Sequence, residues 1–558
     1  MTLGLILVTV TVFHQQAADL FAVPDRGDPL FSMWRMAWVR HQIVTDPGHL
    51  FDANIFYPLS ATLTYSDSML LPALASAPLA WLHIHPVVAY NVLLLAAFVL
   101  SGLSAYWLIR PSTRATAGSL RAGGPGSSKL AAWITAVAFT IAPFRINHFS
   151  HLELQMTMWM PVVLLSMQRV VMDGSRRYAA LLVGSLAAQW YSSMYYGLFL
   201  TFYTVVFAVV LTIASKAPLR KLAYGLAAMC VAGLLVLPLV YTYAQSTPAR
   251  GVRSPQVVES FSAVPADYLK PGTGNPVYRS FLPRYVHAER ALFPGLVPLL
   301  LAVAGAWPPL TASRIAMIAA GAVAFDGSLG LNGVVYPFLY QWIPAFQSVR
   351  VPARFAILVV LTIAVLAGAG AARVLSPVST PWKRAAAAAC LTLALVADGW
   401  PRYDRLPMWQ SPPSIYSALP ASGAVLFEFP VHVPADRFAE NLPYMYFSMW
   451  HWTPMVNGYS GFIPPSYQAL VEGTSTFPAG DALDYLARVG VTHVALHCRL
   501  WEPDVCASTM ERLDASPRVR RLARANWYGA PATLYELSRG PESVVRGPGS
   551  WSGRDQVK

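Results

Sequence analysis

The chain has little charge: of 558 residues only 12% are Asp, Glu, Lys or Arg, while 55% are hydrophobic and the mean hydropathy is +0.45. Apolar runs of that extent do not fit inside one soluble core, so a soluble globular class is excluded and a polytopic α-helical membrane protein is expected. There is no basic tail and no nucleic-acid motif. The formal net charge of +13 comes from Lys and Arg in short segments between apolar runs, which argues against nucleic acid as a partner. Cysteine is scarce, with four residues and no zinc pattern. Cys230 and Cys390 fall within apolar spans as packing residues, whereas Cys498 and Cys506 flank the polar loop HCRLWEPDVC and allow a disulfide on an oxidising side. The spans carry almost no mid-membrane acid, Asp326 and Asp398 lying near outer ends, which leans against a proton-coupled transporter. The opening MTLGLILVTVTVF lacks a basic n-region and a small-x-small cleavage site, so it reads as a retained helix with a cytoplasmic N-terminus.

What is present are apolar segments of spanning length near 3–22, 86–109, 130–145, 154–172, 178–196, 197–214, 222–243, 291–308, 314–331, 355–375 and 385–400, about eleven helices. Arg110, Arg114, Arg121 and Lys129 lie in one connection, Arg176 and Arg177 in another, then Lys216, Arg220 and Lys221, and finally Lys383 and Arg384. These belong on the cytoplasmic side. A first loop at 23–85, a turn at 146–153, the loops 244–290 and 332–354, and everything after 400 are then extracytoplasmic. The segment 69–85 is apolar but short and holds Pro72 and Pro78, so it is expected to be a juxtamembrane or re-entrant helix rather than a span. PLFSMWRMAWVRHQIV is expected to lie at the membrane interface, with Trp34 and Trp38 on one face. Residues 1–400 thus form a transmembrane domain. Residues 401–558, where strand-like AVLFEFPV and THVALHC alternate with helix-like DALDYLARVG and TMERLDAS, form a soluble α/β domain.

Candidate chemistry gathers in the outward segments. The first loop carries Asp25, Asp28, Asp46, Asp52 and Asp67 among Trp34, Trp38, His41, His49 and Tyr57. An acid there can take a proton from a hydroxyl or hold a divalent metal, although DPG at 46–48 has the composition of a turn. FRINHFSHLELQ crowds Arg145, His148, His151, Glu153 and Gln155 at the membrane boundary, and helical spacing puts His148, His151 and Gln155 on one face. Such groups could bind a metal or a phosphate, or reach water. In SMYYG (193–197) the tyrosines read as an interfacial belt. Loop 244–290 offers Arg250, Arg253, Glu259, Tyr268, Lys270, Arg279, Arg284, His287 and Glu289, and QSVRVPARF offers Arg350 and Arg354. Paired planar donors suit a phosphate or pyrophosphate, and lipid headgroups would satisfy them as well. SMWHWTPMVNGYSGFIPPSY (448–467), with Trp450 and Trp452, suits sugar stacking and equally a packed interface.

GDPLFSMWRMAW, LFDANIFYP, RINHFSHLELQ, RVPARF and VNGYSGFIPPSY resemble a bacterial subgroup related to the GT-C superfamily of integral-membrane glycosyltransferases, across nearly the whole chain. The resemblance implies a GT-C-like fold in the bacterial cytoplasmic membrane. It also implies transfer of a hexosyl or pentosyl group from a polyprenyl-phosphate-linked donor to a glycan, glycolipid or protein acceptor of the cell envelope. It places the catalytic acid at Asp28, with Asp25 second. His148, Arg350, Arg354, Trp34, Tyr268 and Trp450 are the expected substrate contacts, and Glu153 with His151 the expected ligands of a divalent metal, Mg or Mn, although a strict DxD is absent. A non-enzymatic lipid or polysaccharide transporter, or an assembly scaffold, is the alternative.

Overall fold

In the computed structural model, residues 1–109, 125–272, 275–278, 288–431 and 439–538 are described. Arg110, Arg114, Arg121, Arg279, Arg284 and His287 lie outside them. The chain forms two compact units. The first comprises Met1–Asp25, Met69–Gln245 and Gly251–Pro407, and the second Arg26–Ser68, Ser246–Arg250 and Met408–Lys558.

The first unit is helical, and helix occurs at each of the eleven expected positions. Among the described residues five helices are long and apolar enough to cross a membrane: Pro86–Ile109, Lys129–Asn147, Met194–Ser215, Leu219–Arg250 and Pro352–Val374. Thr2–Val12, Leu70–Trp81 and Leu296–Ala306 are apolar but shorter. With no hydrophobic drive between helices in lipid, close backbone approach at small residues holds such a bundle together. Helices Leu296–Ala306 and Ala356–Val374 meet in this way. A Cβ on Gly370 would stand 1.8 Å from the Leu301 carbonyl oxygen, and one on Gly305 2.0 Å from that of Leu366. Gly370→Ala is therefore expected to abolish the monodisperse peak of detergent-extracted protein in size-exclusion chromatography. Gly184→Ala, where nothing lies within 4 Å, should leave the peak unchanged. Asp326 and Asp398 have structural work. Asp326 accepts from the backbone N–H of Val334 and Val335, and Asp398 from those of Leu296 and Val297, at helix starts where amides lack partners.

The second unit contains a four-stranded sheet in the order β3-β4-β6-β5, with β3 (Leu426–Phe429) parallel to β4 (His493–His497) and β6 (Ala530–Leu537) antiparallel to both β4 and β5 (Val519–Trp527). β1 (Ala22–Val23) and β2 (Leu406–Pro407) pair in the first unit. The strands and helices expected after residue 400 are present, and the hairpin β5–β6 adds to them. A Cys498–Cys506 disulfide closes the polar loop. In the sheet core Glu428 and His497, both fully buried, pair at 2.6 Å, and Tyr416 donates its hydroxyl to Glu428 at 2.8 Å.

Two expectations need correction here. Residues 26–68 pack with the C-terminal residues rather than with the helical unit: the Met455 amide donates to the Asn54 carbonyl at 2.9 Å, and those of Tyr57 and Phe56 donate to the carbonyls of Met455 and Asn457. The helix Asp28–Thr45, expected to lie at the membrane interface, is instead largely a core helix of the second unit. Its residues 29–39 are buried, and it packs on Leu442–Ser448 of the same unit. Its aromatic residues are consumed by a protein core, which hydropathy alone does not distinguish from a lipid-facing stripe.

Candidate functional site

The 143–155 stretch is not one helix. A short helix, Pro143–Asn147, ends in a turn, and a second, Leu152–Gln155, follows, so His148, His151 and Gln155 share no helical face. Arg145 builds the turn: fully buried, it donates to the carbonyls of Phe139, Thr140 and Gln155, and its guanidinium lies 4.5 Å from the centre of the Phe98 ring. Gln155 donates back to the carbonyls of Arg145 and His148. This frame fixes His148, whose Nδ1 lies 2.9 Å from the Phe144 carbonyl oxygen.

His148 belongs to an ion cluster within the first unit. Its Nε2 lies 3.2 Å from Oε2 of Glu289, and Arg354 grips the same carboxylate through Nε at 3.0 Å and a terminal nitrogen at 2.5 Å. Burial alone would push the Glu289 carboxyl up. The Arg354 charge and the His148 hydrogen bond outweigh it and hold that carboxyl well below its ordinary value. Tyr196, fully buried, lies within electrostatic range of Arg354, Arg145, Glu289 and Glu153. The stability this pair contributes is present above the ordinary carboxyl pKa of 4.5 and lost as pH falls through the lowered one. The unfolding temperature of detergent-solubilised protein is accordingly expected to gain no acid-side loss from Glu289 between pH 7 and about pH 5. A scan of unfolding temperature against pH, wild type beside Glu289→Gln, checks this.

Two arginines here keep donors available. Arg354 is buried, and its second terminal nitrogen makes no hydrogen bond to a described residue. Arg350, half-buried, places its guanidinium 5.1 Å from the centre of the Phe261 ring, and none of its side-chain nitrogens bonds a described residue. Tyr195 joins them: its hydroxyl accepts the Arg350 backbone N–H at 2.8 Å, and its ring lies 5.3 Å from the Arg354 guanidinium. Tyr195 and Tyr196, which sequence reading takes for an interfacial belt, are thus part of the cluster. The turn between helices Arg176–Ser192 and Met194–Ser215 delivers them, and no local pattern announces it. Planar donors on cations are suited to a phosphate oxygen.

Of the other expected site residues, Asp25 accepts a hydrogen bond from Ser150 in the same turn as His148. Asp28 stands half-buried in the first turn of helix Asp28–Thr45, in the second unit, the boundary falling between Asp25 and Arg26. Tyr268 is packed, its hydroxyl 2.8 Å from Ser328 Oγ and its ring against Phe325. Beside it Asp267, fully buried, pairs with Lys270 and Arg290 at 2.9 Å each. Trp34 is in the core of the second unit and donates to Asn54, so its ring has no open face for a sugar. Trp450 is 42% exposed. His151 and Glu153 flank the cluster, but among the described residues no three His, Cys, Asp or Glu side chains converge as a metal site requires. The donor set at His148 fits an ion pair rather than a metal, because the Glu289 oxygens are engaged by Arg354 and His148.

No family model matches the chain, and no curated protein does. Solved structures do. The arabinofuranosyltransferase AftD from Mycobacteria aligns with 97% of this chain at a TM-score of 0.61 and 15% identity. Two classes of an AftD mutant align with 97% and 95% of it, each at a TM-score of 0.57. The chain spans 39% of the length of the AftD chain in the first of these alignments. The likeness is one of fold: this chain folds like the part of AftD that it aligns with.

Proposed function

We propose that this chain is a membrane glycosyltransferase that moves a sugar from a polyprenyl-phosphate-linked donor to a glycan, glycolipid or protein acceptor of the bacterial cell envelope. The observation that carries the reading is the likeness of nearly the whole chain to an arabinofuranosyltransferase. The donors of Arg350 and Arg354 that bond no described residue support it, since a lipid phosphate leaving group needs its negative charge met. In this reaction the acceptor hydroxyl loses its proton to Asp28. Its oxygen bonds to the anomeric carbon, and the bond from that carbon to the phosphate oxygen breaks, the lipid phosphate leaving with the electron pair.

The reaction is assigned to the extracytoplasmic side of the cytoplasmic membrane. The basic connections at Arg176, Arg177, Lys216, Arg220, Lys221, Lys383 and Arg384 then face the cytoplasm, and the Cys498–Cys506 disulfide suits an oxidising compartment. Trp450 is the one expected aromatic contact with an exposed ring, and it is assigned to the acceptor. Trp450→Ala is expected to raise the acceptor KM about tenfold with little change in kcat, read by initial rates in proteoliposomes. An unchanged acceptor KM would remove Trp450 from the site.

Transfer of a labelled sugar from polyprenyl-phosphate donors by purified protein tests the reading. Movement of labelled lipid across the bilayer with no change in its chemistry would favour the transporter instead.

A further inference from the structure

We propose that Glu289 is the positioning residue of an anion seat formed by Arg354 and His148: it fixes the plane of the Arg354 guanidinium and holds the His148 ring beside it. The proposal rests on the reading of Arg354 as a phosphate ligand given above. A guanidinium on a flexible stem loses considerable side-chain freedom when it must meet a ligand in one orientation. Here two of its three nitrogens are fixed on one carboxylate in a fork, at 3.0 and 2.5 Å, so its plane is set before any ligand arrives. Its second terminal nitrogen bonds no described residue and is the donor left for an incoming oxygen.

His148 is constrained by the same carboxylate. Its Nδ1 faces a backbone carbonyl oxygen and its Nε2 a carboxylate oxygen, and both oxygens only accept. Both ring nitrogens thus face acceptors, an arrangement that a doubly protonated ring would complete with two hydrogen bonds. In that state two cations around one anion leave the cluster with one surplus positive charge, which a phosphodiester would neutralise. The other ionisable groups facing it are Glu153, Arg145 and the phenols of Tyr195 and Tyr196, with the His151 ring 6.0 Å from that of His148. Arg145 and Glu153 offset one another and do not change the sign. A purely structural Glu289 would hold the loop at Ala288–Arg290 without affecting which anions bind.

The test uses the full-length protein in nanodiscs with farnesyl phosphate as probe, comparing wild type, Glu289→Gln and Glu289→Asp. Glu289→Gln keeps the shape and removes the charge that orders both cations. It is expected to weaken farnesyl phosphate binding about tenfold, and to raise the donor KM similarly with kcat little changed, whereas Glu289→Asp recovers most of the affinity. Equal affinity in wild type and Glu289→Gln overturns the proposal, and so does a wild type that does not bind farnesyl phosphate. Should Glu289→Gln fail to fold, nitrogen-15 spectra of histidine-labelled wild type decide: a cationic His148 ring at pH 7 supports the proposal, and a neutral one overturns it. Binding that depends on Glu289 in a protein that transfers no sugar would sink the transferase reading and leave this inference standing.

Discussion

Asp28→Ala is expected to lower sugar transfer by roughly 10²- to 10⁴-fold, the contribution typical of a side chain that accepts a proton in the transition state. The fold should survive. Asp28 is half-buried in the first turn of its helix, where loss of a favourable charge at the dipole's positive end costs about 1 kcal/mol or less. Asp25→Ala is the informative companion. Asp25 accepts from Ser150 in the turn that carries His148, so its loss should disturb that turn and affect stability more than chemistry. Initial rates at equal protein levels, beside unfolding temperatures, separate the two. A rate collapse in Asp25→Ala with Asp28→Ala fully active would exchange the assignments.

Arg354→Ala should have the second large effect, on stability and donor binding together. It leaves the Glu289 carboxylate, largely buried, with His148 as its one remaining partner among the described residues, and breaking a buried pair from one side costs about 3–5 kcal/mol. Arg354→Lys should not restore it, because a single ammonium cannot make the two parallel bonds that Nε and the terminal nitrogen make now. Thermal unfolding followed by tryptophan fluorescence gives the stability change, and titration with farnesyl phosphate gives the affinity. A Lys variant as stable as wild type would show that the fork geometry carries no weight.

How much of this was legible in the residues varies with the range of the interaction responsible. Apolar runs announce their helices, and Pro86–Ile109 falls where the hydropathy places it, because a span's signal is local. The strand segments at 426–429 and 493–497 were readable for the same reason. That residues 26–68 join the C-terminal unit was not readable, since it rests on pairings such as Asn54 with Met455, some 400 positions apart in the chain. The site divides along the same line. Arg350 and Arg354 stand out as cations beside an apolar span, and His148 as a polar group at its edge. Glu289 looked like one charge among many in a long loop, and only the fold reveals that it binds both Arg354 and His148. Tyr268 and Trp34 erred in the opposite sense. Both are aromatic residues in outward segments, and both are core residues with their polar atoms satisfied by Ser328 and Asn54.

The central claim is a sugar transfer that depends on Asp28, and mass spectrometry of the envelope tests it most directly. Envelope glycans and polyprenyl-phosphate sugars would be compared in cells carrying wild type, a deletion, and Asp28→Ala at equal protein level. The expected result is the same missing sugar, with its lipid-linked donor accumulated, in both the deletion and Asp28→Ala. A defect confined to the deletion, with Asp28→Ala indistinguishable from wild type, would contradict it and point to a transporter or scaffold.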